Sequence, residues 1–370
     1  MKRIDELDGI RGLAILLVLI WHYFTIQIQA PVDSAWGYLV QATQLTWSGV
    51  DLFFVLSGFL IGGILLDNRH AENLFKTFFI RRACRIFPLY FVMVAGFILL
   101  SALAPPRLEW LYASPLPLWS YLSFTQNYLM GLNATFGPNW LSVTWAVAME
   151  QQFYVILPCL IRLVSDKRLP LALLMLILFG PIYRHMIPGF GAFIFTFART
   201  DSLMMGVLLA YLMRKPAFLD FLKERETPLT FVFAGVVMGA GVLTICNNFI
   251  GNWLNHFWLA VLYTLLILLV ILRPRWWISG IFRNRMLAWL GLRSYGIFLL
   301  HQPISGIWHG LLRGTPPAIK NLGEAGITLL ALASTLLLSE ISFRFLERPF
   351  VELGHTHQYL PPKTQTTEGE

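Results

Sequence analysis

Six ionisable side chains, His22, Asp51, Glu150, Arg199, Asp201 and His301, stand inside or at the edge of long apolar stretches of this sequence. An ionisable group costs a few kcal/mol or more in hydrocarbon, so such residues face a cavity, pair with one another, and mark function. An imidazole with an ordinary pKa near ~6.5 can accept the proton of a hydroxyl, or take a transferred group itself. A carboxylate beside it, Asp51 or Glu150, would hold its tautomer, and Arg199, Asp201 or His301 would position an acceptor or stabilise a developing oxyanion. The plainer alternative for each residue is an ion pair or hydrogen bond between helices.

A second cluster is basic. Arg81, Arg82 and Arg85, in FFIRRACRIFPLY, are spaced three and four apart and share a helical face. Arg11, Arg293 and the triplet Glu347, Arg348 and Pro349 are expected at the same level. Guanidinium forks at a cavity mouth suit bidentate phosphate binding, as the pyrophosphate of a coenzyme A donor would require. Simple anchoring at a membrane surface is the competing explanation for any one of these arginines.

The elements that must position these groups are membrane helices. Apolar residues make up 56% of the chain and charged residues 13%, far from the roughly one quarter charged of soluble domains. Runs such as VDLFFVLSGFLIGGILL approach the ~18 to 20 residues that cross ~30 Å of hydrocarbon. The hydropathy predicts ten helices, at 9–30, 48–66, 84–103, 140–162, 169–187, 193–213, 228–247, 254–272, 286–311 and 322–346. With a cytoplasmic amino terminus, all but five of the 28 Lys and Arg fall on inner segments, the exceptions being Arg107, Arg184, Arg199, Arg313 and Lys320. That asymmetry predicts both termini in the cytoplasm.

On this layout His22, 13 residues beyond Gly9, lies in the outer half of the membrane, and Glu150 lies near the midplane. Asp51, Arg199, Asp201 and His301 fall in the same outer window. Five helices contributing to one depth range predict a single polar cavity, open near Arg82 and Arg85, with His22 and Glu150 on its wall.

Other classes fit less well. The net charge of +8 is spread over every inner loop and forms no stripe, so no nucleic-acid partner is expected. Cys84, Cys159 and Cys246 make no metal-ligand spacing, so neither a disulfide framework nor a metal site is expected. The first apolar run lacks a small-residue cleavage pattern and reads as a retained helix. Residues 1–353 read as one membrane core, with 104–139 at the outer interface and 354–370 as a polar, disordered cytoplasmic tail.

Seven ordered blocks, LDGIRGLAILLVLIWH, GVDLFFVLSGFLIG, FFIRRACRIFPLYF, TWAVAMEQQFYVILP, ARTDSLMMGVLLAY, LRSYGIFLLHQP and FLERPF, carry a resemblance. From Asp5 to about Leu353 the chain resembles the acyltransferase-3 membrane proteins that O-acylate bacterial surface glycans. The resemblance implies that Arg11 and His22 form the catalytic element of the first helix. It implies that Arg82 and Arg85 are the paired-arginine motif and Glu150 the glutamate of the fourth block. Where the family often reads WSLSVEE, this chain has WAVAMEQ, with Ala146, Ala148 and Gln151 in place of two serines and the second acid.

Many relatives continue into a soluble hydrolase-like domain; a chain ending at Glu370 is expected to lack that step or to receive it from another protein. The implied activity is transfer of a small acyl group, acetyl above all, from cytoplasmic acyl-CoA to a glycan hydroxyl. The implied setting is the lipid bilayer of the bacterial inner membrane. Acyl-CoA would be a donor substrate and no cofactor would be permanently bound. Arg11, Arg81, Arg82 and Arg85 would hold the donor, and His22 would act as base or as acyl carrier. A proton-coupled transporter, or a scaffold in polysaccharide assembly, would also place histidines and acids in the membrane.

Overall fold

In lipid every backbone N–H and C=O must find its partner within the protein, which leaves helices for a sequence with no alternating apolar pattern. The computed structural model describes residues 4–187, 189–245 and 253–361, and among these residues there is no β-strand, only an isolated bridge between Ile28 and Ile319. We number the ten principal helices α1 (Asp5–Ile20), α2 (Gly49–Asp67), α3 (Leu74–Leu103), α4 (Thr144–Leu163), α5 (Leu169–Met186), α6 (Thr200–Leu212), α7 (Glu226–Ile245), α8 (Asn255–Leu272), α9 (Ser294–Arg313) and α10 (Leu322–Ser342).

Each of the ten expected segments overlaps one of these helices, yet fewer qualify as spans. Among the described residues seven helical stretches are long and apolar enough to cross a membrane, or up to eight if one bent pair counts as a single span. That pair is Thr196–Leu212 with Pro216–Leu222, bent by 99°. The expected ten is therefore not reached, and the reasons are local. The helix α6 itself has 13 residues. The apolar part of α7 is Glu226–Val242, and its expected end at 246–247 lies outside the described residues. Finally, α9 carries His301, Gln302 and His309, which lower its hydropathy.

Two boundaries differ in ways that move functional groups. The expected helix 84–103 begins ten residues earlier, at Leu74, so Arg81, Arg82 and Arg85 sit within its cytoplasm-facing half as inferred from charge, rather than before or at its first turn. The expected helix 9–30 stops as an α-helix at Ile20 and continues as a π turn, Trp21–Thr25, that contains His22. Single π turns inside α-helices recur at functional sites because they turn a side chain and free a carbonyl. Here the freed His22 carbonyl accepts from Gln27 Nε2 at 2.7 Å.

Close packing of the helices depends on small residues, as it does where lipid removes the hydrophobic drive between helices. A Cβ on Gly58 would run into the Leu203 carbonyl, and a Cβ on Gly206 into the Val55 carbonyl, so α2 and α6 touch backbone to backbone. Gly12 and Gly291 make the same kind of approach between α1 and the short helix Arg285–Leu292.

Candidate active site

The π turn Trp21–Thr25 presents His22 to a pocket of about 350 Å³, walled by Trp21, Trp47, Trp110 and Trp145 together with Gln27, Gln302 and Ser305. The His22 ring lies 4.8 Å, centroid to centroid and edge to face, from the ring of His301 on α9. His22 Nδ1 donates to the Val18 carbonyl at 2.9 Å, and His301 Nδ1 donates to the Phe298 carbonyl at 2.7 Å. A nitrogen that donates to a carbonyl carries the proton, so each neutral ring keeps its lone pair on Nε2. His301 is fully buried, and its Nε2 has no hydrogen-bond partner among the described residues. The two rings thus form a pair of proton acceptors held in one tautomer by the backbone. The expectation that Asp51 or Glu150 would hold the His22 tautomer is not met, because Val18 does so from the preceding turn.

Gln27 fixes the turn that carries His22. Besides the His22 carbonyl it donates to Ser305 Oγ at 3.3 Å, and its Oε1 accepts from Thr328 Oγ1 at 3.0 Å. His309 Nε2 in turn lies 3.0 Å from that hydroxyl. No periodic pattern of residues marks this chain of polar contacts. These contacts depend on the π turn after α1 meeting α9 and α10, which sequence alone does not show.

A second pocket, of about 340 Å³, contains Arg11, Arg82, Arg85 and Glu150 and shares Val50 and Phe298 with the first. The single expected cavity is therefore two adjoining ones, with His22 on one wall and Glu150 on the other. A vestibule of about 560 Å³ continues from the arginine pocket past Arg11, Arg85, Glu347 and Arg348. Arg11 pairs with Asp8 at 3.1 Å. Arg82 lies over the rings of Phe78 and Tyr154 at 5.9 and 5.7 Å, and its Nε is buried without a partner. Neither Arg82 nor Arg85 is ion-paired among the described residues, and both line the pocket that also holds the Glu150 carboxylate. Glu150 accepts from the Tyr154 hydroxyl at 3.4 Å, a neighbour one helical turn away that the i, i+4 spacing makes legible.

Arg81 points elsewhere. Its Nε donates to the His357 carbonyl at 2.8 Å and its guanidinium covers the Tyr359 ring at 4.9 Å. Asn73 holds the same segment through the Gln358 carbonyl and the Leu360 N–H, each at 2.8 Å. Burial raises the pKa of the Tyr359 phenol, with Arg81 and Arg82 acting against that rise. The expected disordered tail is thus docked along the start of α3 as far as Leu360, following the helix Arg348–His355; residues 362–370 lie outside the described residues. His355 lines both the arginine pocket and its vestibule.

Asp51, Arg199 and Asp201 are brought together, but not around His22. Arg199 pairs with Asp51 at 2.9 Å, and Arg184 forks onto Asp201 at 2.6 and 3.1 Å. His256 Nδ1 touches Arg199 and lies 3.2 Å from Asp51. All five side chains are buried, at the junction of α2, α5, α6 and α8. Arg184 and His256 were overlooked at the sequence level, although both lie at the outer depth already assigned to the acids they face. Breaking a buried pair leaves an uncompensated charge and costs about 3–5 kcal/mol. Arg199→Ala is accordingly expected to reduce folded protein severely, measured as the fraction extracted as a monodisperse species. Wild-type yield from Arg199→Ala would contradict that structural assignment.

Residues 4–343 match a protein family described as an acyltransferase domain. The chain belongs to the acyltransferase-3 family. Together with its apolar helices, this membership makes it a multi-pass membrane protein. Among curated relatives it is 28% identical to a peptidoglycan O-acetyltransferase of Listeria monocytogenes, over 97% of this chain and 57% of that protein. It is 28% identical to a putative O-acetyltransferase of Staphylococcus aureus strain COL, over 96% of this chain and 58% of that protein. A putative peptidoglycan O-acetyltransferase of Bacillus subtilis is 26% identical, over 95% and 56% of the two chains. The chain thus spans somewhat more than half the length of these relatives. No solved structure matches it.

Proposed function

We propose that this chain transfers an acetyl group from cytoplasmic acetyl-CoA to a hydroxyl of a cell-surface glycan, peptidoglycan among the possible acceptors, at the bacterial inner membrane. The observation that carries the reading is the abutment of the two pockets. The guanidiniums of Arg82 and Arg85, with no ion pair among the described residues, line one, the His22–His301 pair lines the other, and Val50 and Phe298 belong to both. The arginines bind the donor's phosphates, and the thioester extends along the apolar wall of their pocket to the shared boundary. The acceptor sugar enters the histidine pocket, whose tryptophan faces and amide groups suit the two sides of a sugar ring.

His22 Nε2 removes the proton of the attacking hydroxyl as the new C–O bond forms at the thioester carbon. The C–S bond breaks, and the departing thiolate is protonated by the imidazolium, which restores His22 and releases free coenzyme A. His301 stands beside His22 and assists by polarising the acceptor or taking up charge as the imidazolium forms. Arg199, Asp201 and Asp51 act on this reaction through the shape of the helix junction, not by contact with substrate.

Mass spectrometry of surface glycans from matched strains with and without the protein tests the reading. The expected result is a set of sugars in which hydrogen replaces an acetyl group, and which are lighter by that difference, in the strain that lacks it. Identical O-acetylation in the two strains would contradict it.

A further inference from the structure

The boundary between the two pockets has a composition of its own. Val50 and Phe298 are the residues the two pockets have in common, and both are apolar. On the arginine side the adjoining wall is also apolar, with Phe53 packed on Phe298 and Phe54 one helical turn from Val50. Each boundary residue is held in place by polar contacts next to it in sequence. Val50 precedes Asp51, which is locked to Arg199 at 2.9 Å. The Phe298 carbonyl accepts the His301 Nδ1 proton at 2.7 Å, and its ring packs edge to face on Phe53 with centroids 6.4 Å apart. A boundary fixed at both sides yields little to a larger guest, because packed interiors transmit strain and do not flow.

We infer that Val50 and Phe298 form an apolar neck that sets the size of the acyl group transferred. The inference rests on the acetyltransferase reading given above. In that reading the charged and polar parts of the donor stay in the arginine pocket, and only the acyl end reaches the neck where His22 and the acceptor hydroxyl lie beyond. A methyl group passes between two apolar side chains without desolvating anything polar. Each added methylene must displace Val50 or Phe298, and one misfitting methylene in a fitted apolar pocket changes selectivity by about 10- to 200-fold. The neck also keeps the two pockets from merging, which protects the thioester from water on the acceptor side.

The test is a comparison of acetyl-, propionyl- and butyryl-CoA as donors with the full-length protein in membranes, for the wild type, Val50→Ala, Phe298→Leu and Val50→Ile. The wild type is expected to use acetyl-CoA with at least about tenfold preference over butyryl-CoA. Val50→Ala and Phe298→Leu are expected to raise the butyryl-to-acetyl ratio at least about tenfold, and Val50→Ile to lower the propionyl-to-acetyl ratio. The conservative isoleucine variant guards against loss of fold, since it adds one methylene and predicts a change of the opposite sign. Unchanged ratios in variants that still transfer acetyl would overturn the neck while leaving the acetyltransferase reading intact. Failure of the wild type to transfer any of the three acyl groups would overturn that reading and the neck with it.

Discussion

Replacing His22 by alanine is expected to reduce acyl transfer by about 10² to 10⁴-fold, the usual cost of losing a general base, while leaving the amount of folded protein near wild type. The separation of the two effects follows from the contacts. The His22 ring makes its hydrogen bond to Val18 within its own helix, so its removal cuts no hydrogen bond between helices. The π turn survives, because Gln27 grips the His22 backbone carbonyl and not the ring. The edge contact with His301 is lost, which leaves a small polar space already open to the pocket. Initial rates with labelled acetyl-CoA, normalised to extracted protein, measure the effect. Retention of more than about a tenth of wild-type activity would remove His22 from the role of base.

The second large effect is expected at the arginines. Arg82→Ala and Arg85→Ala should each weaken donor binding by about 10- to 100-fold, since a charge-assisted hydrogen bond contributes about 1.5–3 kcal/mol. The loss should appear in KM for acetyl-CoA and leave KM for the acceptor unchanged. Lysine at either position should restore binding only in part, because it keeps the charge and loses the two-pronged geometry. Arg81→Ala should behave differently. Its guanidinium is engaged with His357 and Tyr359, so its loss should loosen the docked segment and raise protease sensitivity after His355, with a smaller change in donor KM. Equal effects of all three alanine variants on donor KM would contradict the distinction.

That distinction shows where sequence reasoning stops. Spacing identified the arginine trio and its level, but consecutive residues on a helix point ~100° apart, so Arg81 and Arg82 serve different neighbours. The docked segment that claims Arg81 lies more than 270 residues away in the chain, as the bond to His357 records. His22 was legible because a histidine in an apolar run requires a reason. Its pairing with His301 was not, since depth alone does not say which helices touch. The same ambiguity scattered the acids. Asp51 and Arg199 were recognised as buried charges at one depth, but the partner that satisfies Asp51 is Arg199 and not an imidazole of the histidine pair. A fully buried carboxylate takes the nearest fixed cation, and that choice is made by the packing of α2 on α6 through Gly58 and Gly206.

The helices themselves were largely legible, because a run of apolar residues in a bilayer has few structures open to it. The errors fell at the polar interruptions. The polar residues His301, Gln302 and His309 lower the hydropathy of α9, and α6 is shortened by the turn that delivers Arg199 into the buried ion network. Hydropathy loses most at those places, since function there requires the polar atoms that it counts against a span.

The most direct test of the account uses the purified protein reconstituted in one orientation in sealed vesicles, with labelled acetyl-CoA on the side of Arg82 and Arg85 and a glycan oligosaccharide on the other. The account predicts that label becomes covalently attached to the oligosaccharide with wild-type protein, and that attachment falls by at least about a hundredfold with His22→Ala. Label accumulating as free acetate or acetyl-CoA beside an unmodified oligosaccharide, or equal attachment with His22→Ala, would contradict it.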